Sequence, residues 1–184
     1  MPIWTIDPAH SNAEFSVRHM MISTVNGKFD VLEGKLDFDP ANPEVASVEA
    51  TIDAASINTS ATDRDNHLRS ADFFDAETYP TLTFKSTKVE KTGEGEGTVM
   101  GELTMRGQTK EVTFDIEYFG EMPKTLFGDR RVGFVGTTKI NREDWGLTWN
   151  QALETGGVLV SQEVKITVNL QAATAIEEAA ATEA

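Results

Sequence analysis

The strongest constraint on this chain is a two-residue rhythm. In "EVTFDIEYF" (111–119), Val112, Phe114, Ile116 and Tyr118 alternate with Glu111, Thr113, Asp115 and Glu117. In "VKITVNL" (164–170), Val164, Ile166, Val168 and Leu170 alternate with Lys165, Thr167 and Asn169, and Val48, Ala50 and Ile52 alternate with Glu49, Thr51 and Asp53. Successive side chains of a strand point to opposite faces, so each segment has one apolar and one wet face. That pattern belongs to antiparallel sheet, because parallel strands are covered on both sides. Turn signals cut the chain at short intervals: "NGK" (26–28), "PANP" (40–43), "TGEGEG" (92–97) and "RGQT" (106–109). "LTMRGQTKEVTF" reads as a tight hairpin. The spacing predicts an all-β antiparallel barrel or sandwich of about eight or more strands.

One stretch breaks the rhythm. "NTSATDRDNHLRSADFFDAETYP" (58–80) has no alternation. Asn58 or Thr59 is a candidate N-cap, and Ser70 a second one. Asp63 with His67, and Asp65 with Arg69, stand at i,i+4 spacing, which places each pair on one helical face. The expectation is a short helix followed by a compact loop carrying Phe73 and Phe74. A strandless segment of this length between strands reads as a lid or functional loop. The Ala/Glu/Thr tract at the C-terminus has little to bury, so we expect one domain over 1–171 and a disordered tail over 172–184.

Composition removes several function classes. The formal charge of −14 argues against nucleic acid and against a flat anionic membrane, since both reward Lys and Arg. Without cysteine there is no disulfide and no thiolate chemistry. No apolar run approaches the length of a membrane-spanning helix. The opening "MPIWTIDPAH" has neither a basic nor an apolar leader region, so a cytoplasmic location is the default expectation.

Three histidines are the obvious candidates for chemistry, at positions 10, 19 and 67. Nine residues along a strand span roughly 30 Å, so His10 and His19 cannot share a metal ion unless the chain doubles back. Ser11 and His10 are neighbours and point to opposite faces, which excludes a nucleophile–base pair. No G-x-S-x-G or H-E-x-x-H motif is present. Parity places His19 inward with Phe15 and Val17, where it is either a satisfied core residue or a polar contact to something inside the barrel. The residues therefore name no catalytic group, metal site or cofactor. An enzyme acting on a hydrophobic substrate through His19 or His67 is the alternative, and a barrel packed solid as an interaction module is another.

The inward parity collects phenylalanines, but also Ala50, Gly101 and Gly136. Bulky and missing side chains in alternation can leave a cavity in a barrel of this size.

With those residues in view, the chain resembles the YceI-like family of lipid-binding proteins. The matching pieces are "WTIDPAHS", "FSVRH", "VNGKF", "TSATDRDNHLRSADFFD", "YPTLTFKS", "GELTMRGQTKEV", "VGFVGTTKINREDWG" and "VKITVNL", in order along the chain. The resemblance implies a lipocalin-like barrel with a tunnel for an isoprenoid lipid, either a polyprenyl diphosphate or an isoprenoid quinone, and it implies a homodimer. For such a ligand, parity and chemistry divide the candidate residues. Phe15, Val17, Phe29, Phe84, Phe114 and Phe134 are candidate tunnel walls, and Leu68, Phe73 and Phe74 candidate lid contacts. His19, Arg64, His67 and Arg69 are candidate polar contacts near a mouth. Arg142 and Trp145, in the "INREDWG" piece, are candidates either for the site or, equally, for pinning a strand end.

Overall fold

Strand edges decide this fold. A computed structural model describes residues 2–176. Its strands are β1 (Ile3–Ile6), β2 (Asn12–His19), β3 (Ser23–Phe29), β4 (Leu32–Asp37), β5 (Ser47–Asp53), β6 (Ile57–Asn58), β7 (Thr81–Gly93), β8 (Glu96–Met105), β9 (Gln108–Met122), β10 (Asp129–Asn141) and β11 (Val160–Ala175). The one α-helix among the described residues, α1, runs Thr62–Arg69.

All pairings are antiparallel. Eight strands close on themselves in the order β1-β4-β5-β7-β8-β9-β10-β11, with β11 returning to β1. Closure removes the exposed edges that an open sheet would have to protect. Strand β11 is long enough for its second edge to serve two partners. Its end pairs with β1 through Ala172 and Ala173, and its earlier part pairs with β2 from Val160 to Asn169.

The switch between those partners is made by one turn of 3-10 helix over Pro8–His10. Proline supplies the fixed φ at the start of the turn, and the Asp7 carboxylate accepts from the Ala9 amide at 2.9 Å. From there β2, β3 and β6 fan away from the closed ring. Since β6 is two residues long and pairs only with β3, the barrel wall has a gap on that side. The segment from Ser60 to Pro80, with α1 near its start, lies between β6 and β7 in the chain and carries the candidate lid residues Leu68, Phe73 and Phe74.

Several sequence expectations change in detail. The N-cap position of α1 is Ala61, with no side-chain cap; Thr59 instead donates its amide and its hydroxyl to the buried Asp65 carboxylate, at 2.8 and 2.5 Å. Ser70 is the C-cap, not a second N-cap, and its hydroxyl donates to the His67 carbonyl. The i,i+4 pairs do not form, because His67 turns to Asp72 and Arg69 to backbone carbonyls. The expected boundary at 171 falls inside β11, which continues to Ala175 with Ala172 fully buried. Alanine suits that site because β1 and β10 both pair against it. The rest of the expected tail, 177–184, lies outside the described residues.

Candidate functional site: the barrel interior

The inward side chains of the strands pack against one another in places but do not fill the interior. They enclose an apolar cavity of about 230 Å³, walled by Phe15, Val17, Phe29, Leu68, Phe73, Phe74, Phe84, Phe114 and Phe134, together with Ile52, Ile140, Val164, Ile166, Val168 and Leu170. A second cavity of about 600 Å³ continues toward the other end, between the β7–β8 turn, the β4–β5 loop and the end of β9. Val48, Val99, Ile116, Phe134 and Leu170 belong to both walls. The two spaces therefore lie in line along the barrel. The barrel is not packed solid, which corrects the interaction-module alternative.

Two rings explain where the space goes. Gly101 was an expected position for missing bulk, but a Cβ there would lie 2.5 Å from the tip of Phe84; at Gly27, which parity did not single out, one would lie 2.4 Å from the tip of Phe15. Each glycine is a bed on which a phenylalanine lies flat against the wall, and the cavity remains beyond the ring. Phe84 then meets Phe114 edge to face at 5.4 Å, and Phe15 packs on Phe29 at 5.8 Å. Of the small inward residues expected from parity, Ala50 and Gly136 do line the cavity.

The junction of the two cavities is aromatic. Phe38, Tyr118 and Phe134 form a triangle with ring centroids 5.1–5.4 Å apart. Burial pushes the Tyr118 phenol above its ordinary pKa, an effect that the Glu121 carboxylate reinforces and Arg130 opposes. The hydroxyl is thus neutral across the physiological range.

The nine apolar residues expected at the tunnel wall and lid all line the first cavity. The four polar candidates do not. His19 ends β2 at its last pair with Val160, beyond an irregularity in the β11 register, and stands at the barrel's edge. Arg64 donates to the Thr59 hydroxyl and carbonyl at 2.8 and 2.7 Å. Arg69 donates to the carbonyls of Ala55 and Ile57 at 2.9 and 3.1 Å. The physical reason is the shortness of β6, which leaves carbonyls along 55–59 without a strand partner; the arginines of α1 satisfy them. His67 is 2.9 Å from Asp72 and is wedged edge-on between Phe73 (5.1 Å) and Trp149 (4.8 Å).

Arg142 behaves as the pinning alternative requires. It is buried and donates to the carbonyls of Ser161, Leu147 and Val160, at 2.9, 2.6 and 3.3 Å. Burial lowers its pKa from the ordinary value, partly offset by Glu143. Trp145, also buried, donates its indole N–H to the Leu103 carbonyl at 2.9 Å. His10 is held at 2.8 Å by Asp7, and the Ser11 hydroxyl exchanges hydrogen bonds with the Gln171 backbone. Among the described residues, no group of three or more His, Asp or Glu side chains is placed to hold a metal ion.

Sequence reasoning missed the loop residues that cap the interior: Leu147 in the wall and Trp149 over Phe73. No periodicity marks them, because they follow the last inward residue of β10 in an irregular segment. It also missed Phe119. A legible signal existed, since Tyr118 and Phe119 are adjacent and cannot both point inward in a regular strand. The register shifts between Gly133 and Phe134, which leaves Phe119 as the extra residue of a bulge opposite Gly133.

A closed antiparallel ring with a hollow, hydrocarbon-lined interior and a helical lid segment is a lipocalin-like barrel. The YceI-like domain matches residues 4–172. A UPF0312 protein of Staphylococcus aureus is 41% identical over 165 residues, covering 90% of this chain and 94% of its own length. Among solved structures, a Campylobacter jejuni YCEI protein superposes with a TM-score of 0.74 at 34% identity, covering 85% of this chain and 89% of its own. Burkholderia cenocepacia BcnA gives 0.78 at 26%, covering 90% and 98%. A polyisoprenoid binding domain from Saccharophagus degradans shares the fold, with a TM-score of 0.63 at 16% identity, covering 94% and 98%. The chain belongs to the YceI-like family.

Proposed function

We propose that this protein binds an isoprenoid lipid, a polyprenyl diphosphate or an isoprenoid quinone, inside the barrel and stores or carries it without altering it. The observation that carries this reading is the in-line pair of cavities. The first, at about 230 Å³, is below the roughly 300–1,000 Å³ of ordinary ligand clefts, and the second, at about 600 Å³, is within it. A long, narrow, apolar ligand uses both; a compact one leaves the first empty. The described fold of a polyisoprenoid binding domain supports the same ligand class.

The energetics suit a carrier. A tail of about 40 carbons at about 0.3 kcal/mol per atom supplies on the order of 12 kcal/mol, while each charge-assisted hydrogen bond to a head group adds about 1.5–3 kcal/mol. The tail sets affinity. His19 and His67, on which the enzyme alternative relied, stand outside the first cavity's wall, which supports binding over catalysis. The family resemblance further leads us to propose a homodimer, which sedimentation equilibrium tests; a single-chain mass at all concentrations counts against it.

Native mass spectrometry of the protein before and after organic extraction, followed by addition of a long-chain quinone or polyprenyl lipid, tests the binding reading. Retention of one lipid per chain is expected. Protein that stays lipid-free in both conditions would overturn it.

A further inference from the structure

The β9–β10 hairpin exposes more hydrocarbon than any other part of the described chain. Leu126 is 103% exposed and Phe127 83%, with Phe119 and Met122 exposed on the strand that leads to them. Exposure on this scale in a chain of −14 calls for a partner.

The tip is built, not slack. The amide of Thr125 donates to the Asp129 carbonyl at 2.8 Å, the Gly128 amide to the Thr125 carbonyl at 3.1 Å, and the Phe127 amide to the Thr125 hydroxyl at 3.1 Å. The Thr125 hydroxyl also donates to the Asp129 carboxylate. Gly128, at φ +77°, takes the left-handed corner that lets the loop close. These bonds hold Leu126 and Phe127 out in water, so little ordering entropy remains to be lost on docking.

The hairpin also connects to the barrel interior. Bulged Phe119 lines the rim of the second cavity, beside the β7–β8 turn. The opposite end is covered by the α1 segment and by Leu147 and Trp149. The apolar tip therefore flanks the end of the tunnel that has no lid.

Local charge identifies the surface it fits. Between Phe119 and Arg131 the hairpin carries Lys124, Arg130 and Arg131 against Glu121 and Asp129, so it is nearly neutral in a strongly acidic chain. Arg131 sits 5.5 Å from the Phe127 ring and pairs with Asp129 and Asp7. A near-neutral, rigid, convex tip of one aromatic and one aliphatic side chain suits insertion among lipid head groups. It suits a second copy poorly: the two tip side chains together cover on the order of 300–400 Å², while a stable protein interface needs about 800 Å² per partner.

We propose that the tip at Leu126 and Phe127 docks this protein on a zwitterionic phospholipid surface, with the unlidded mouth facing the bilayer as the port through which the lipid cargo enters and leaves. The port rests on the lipid-carrier reading; the docking does not.

The test uses the full chain and phosphatidylcholine vesicles, with phosphatidylcholine–phosphatidylglycerol vesicles as a second arm. Co-sedimentation compares the native chain, the double variant Leu126→Ser/Phe127→Ser, and Ile22→Ser, which removes an exposed apolar side chain from the other end of the barrel. The double variant is expected to lose on the order of 100-fold in vesicle partitioning, from two side chains no longer buried, with Ile22→Ser unchanged. Phe127→Trp is expected to shift its emission to shorter wavelength on phosphatidylcholine and less on the anionic mixture. Lipid loading from detergent solution should be the same in all variants, while uptake from vesicles should slow in the double variant. If vesicles bind through the tip and no variant loads lipid from detergent, the docking stands and the carrier reading falls. No binding by the native chain, equal binding by the double variant, a loss seen in Ile22→Ser instead, or a dimer that dissociates in the double variant would each overturn the proposal.

Discussion

At Gly101 a Cβ would lie 2.5 Å from the Lys85 carbonyl oxygen as well as from the Phe84 ring. The ring can tilt, but the carbonyl is fixed in the β7–β8 ladder. Gly101→Ala is therefore expected to destabilise by about 1–3 kcal/mol, lowering Tm by roughly 2–4 °C per kcal/mol, as scanning calorimetry will show. Asp7 carries a different kind of residue-level effect. Its carboxylate receives His10, the Ala9 amide and Arg131, and these hold its pKa below the ordinary 3.8, His10 contributing most. A depressed folded-state pKa means stability that is present above the unfolded value and lost as pH falls through the folded one, so the window lies below about pH 4. Urea unfolding across pH 2–6 is expected to show a shallower acid slope for Asp7→Asn than for the native chain. His19, read from parity as inward, ends β2 beyond the irregularity in its pairing with β11 and does not line the cavity; His19→Leu is accordingly expected to leave lipid retention by native mass spectrometry unchanged.

Among the elements, α1 shows most plainly what sequence can and cannot convey. Its existence was legible from the loss of alternation and from the density of helix-compatible polar residues. The destinations of its side chains were not, because Arg64 and Arg69 answer carbonyls of β6 and of the residues on either side of it, which the fold brings beside the helix. Leu68, the single large aliphatic of the helix, faces the cavity, while Arg69 ties the helix back to Ala55 and Ile57. Arg69→Ala is expected to loosen the lid by about 1–2 kcal/mol, seen as roughly 5–30-fold faster hydrogen exchange over 62–79 with the barrel strands unchanged. Uniform acceleration across the strands would instead mark Arg69 as part of global stability.

For the whole molecule, the decisive property is the continuity of the interior. Val168 lines the first cavity and pairs directly across from Gly136, where a Cβ would already lie 3.0 Å from the Ile116 side chain. With the wall beside it already filled, Val168→Trp would project into the cavity itself. Uptake of long isoprenoid lipid is expected to fall at least about tenfold, the loss of one good apolar contact region, while the circular dichroism of the sheet is retained. Undiminished uptake would place the cargo elsewhere. The same architecture is expensive to assemble, since β1 and β11 must meet across nearly the full chain length to close the ring. Long-range pairing of this kind makes folding slow relative to local hairpins.

The sequence alone determined the strand faces and hence the apolar wall. The six candidate wall residues were placed by period-2 parity, a local property of extended backbone that needs no knowledge of neighbours, and Leu68, Phe73 and Phe74 by the break in that rhythm. Only the tertiary structure decided how that wall is used. Closure of β11 on β1, the rings lying over Gly101 and Gly27, the turning of α1's arginines toward the backbone, and the bulge that swings Phe119 to the rim all depend on which segments meet in space. Parity says which way a side chain points; it carries no information about what stands opposite, and in a hollow barrel the opposing surface decides whether a residue packs, pins or faces a cargo.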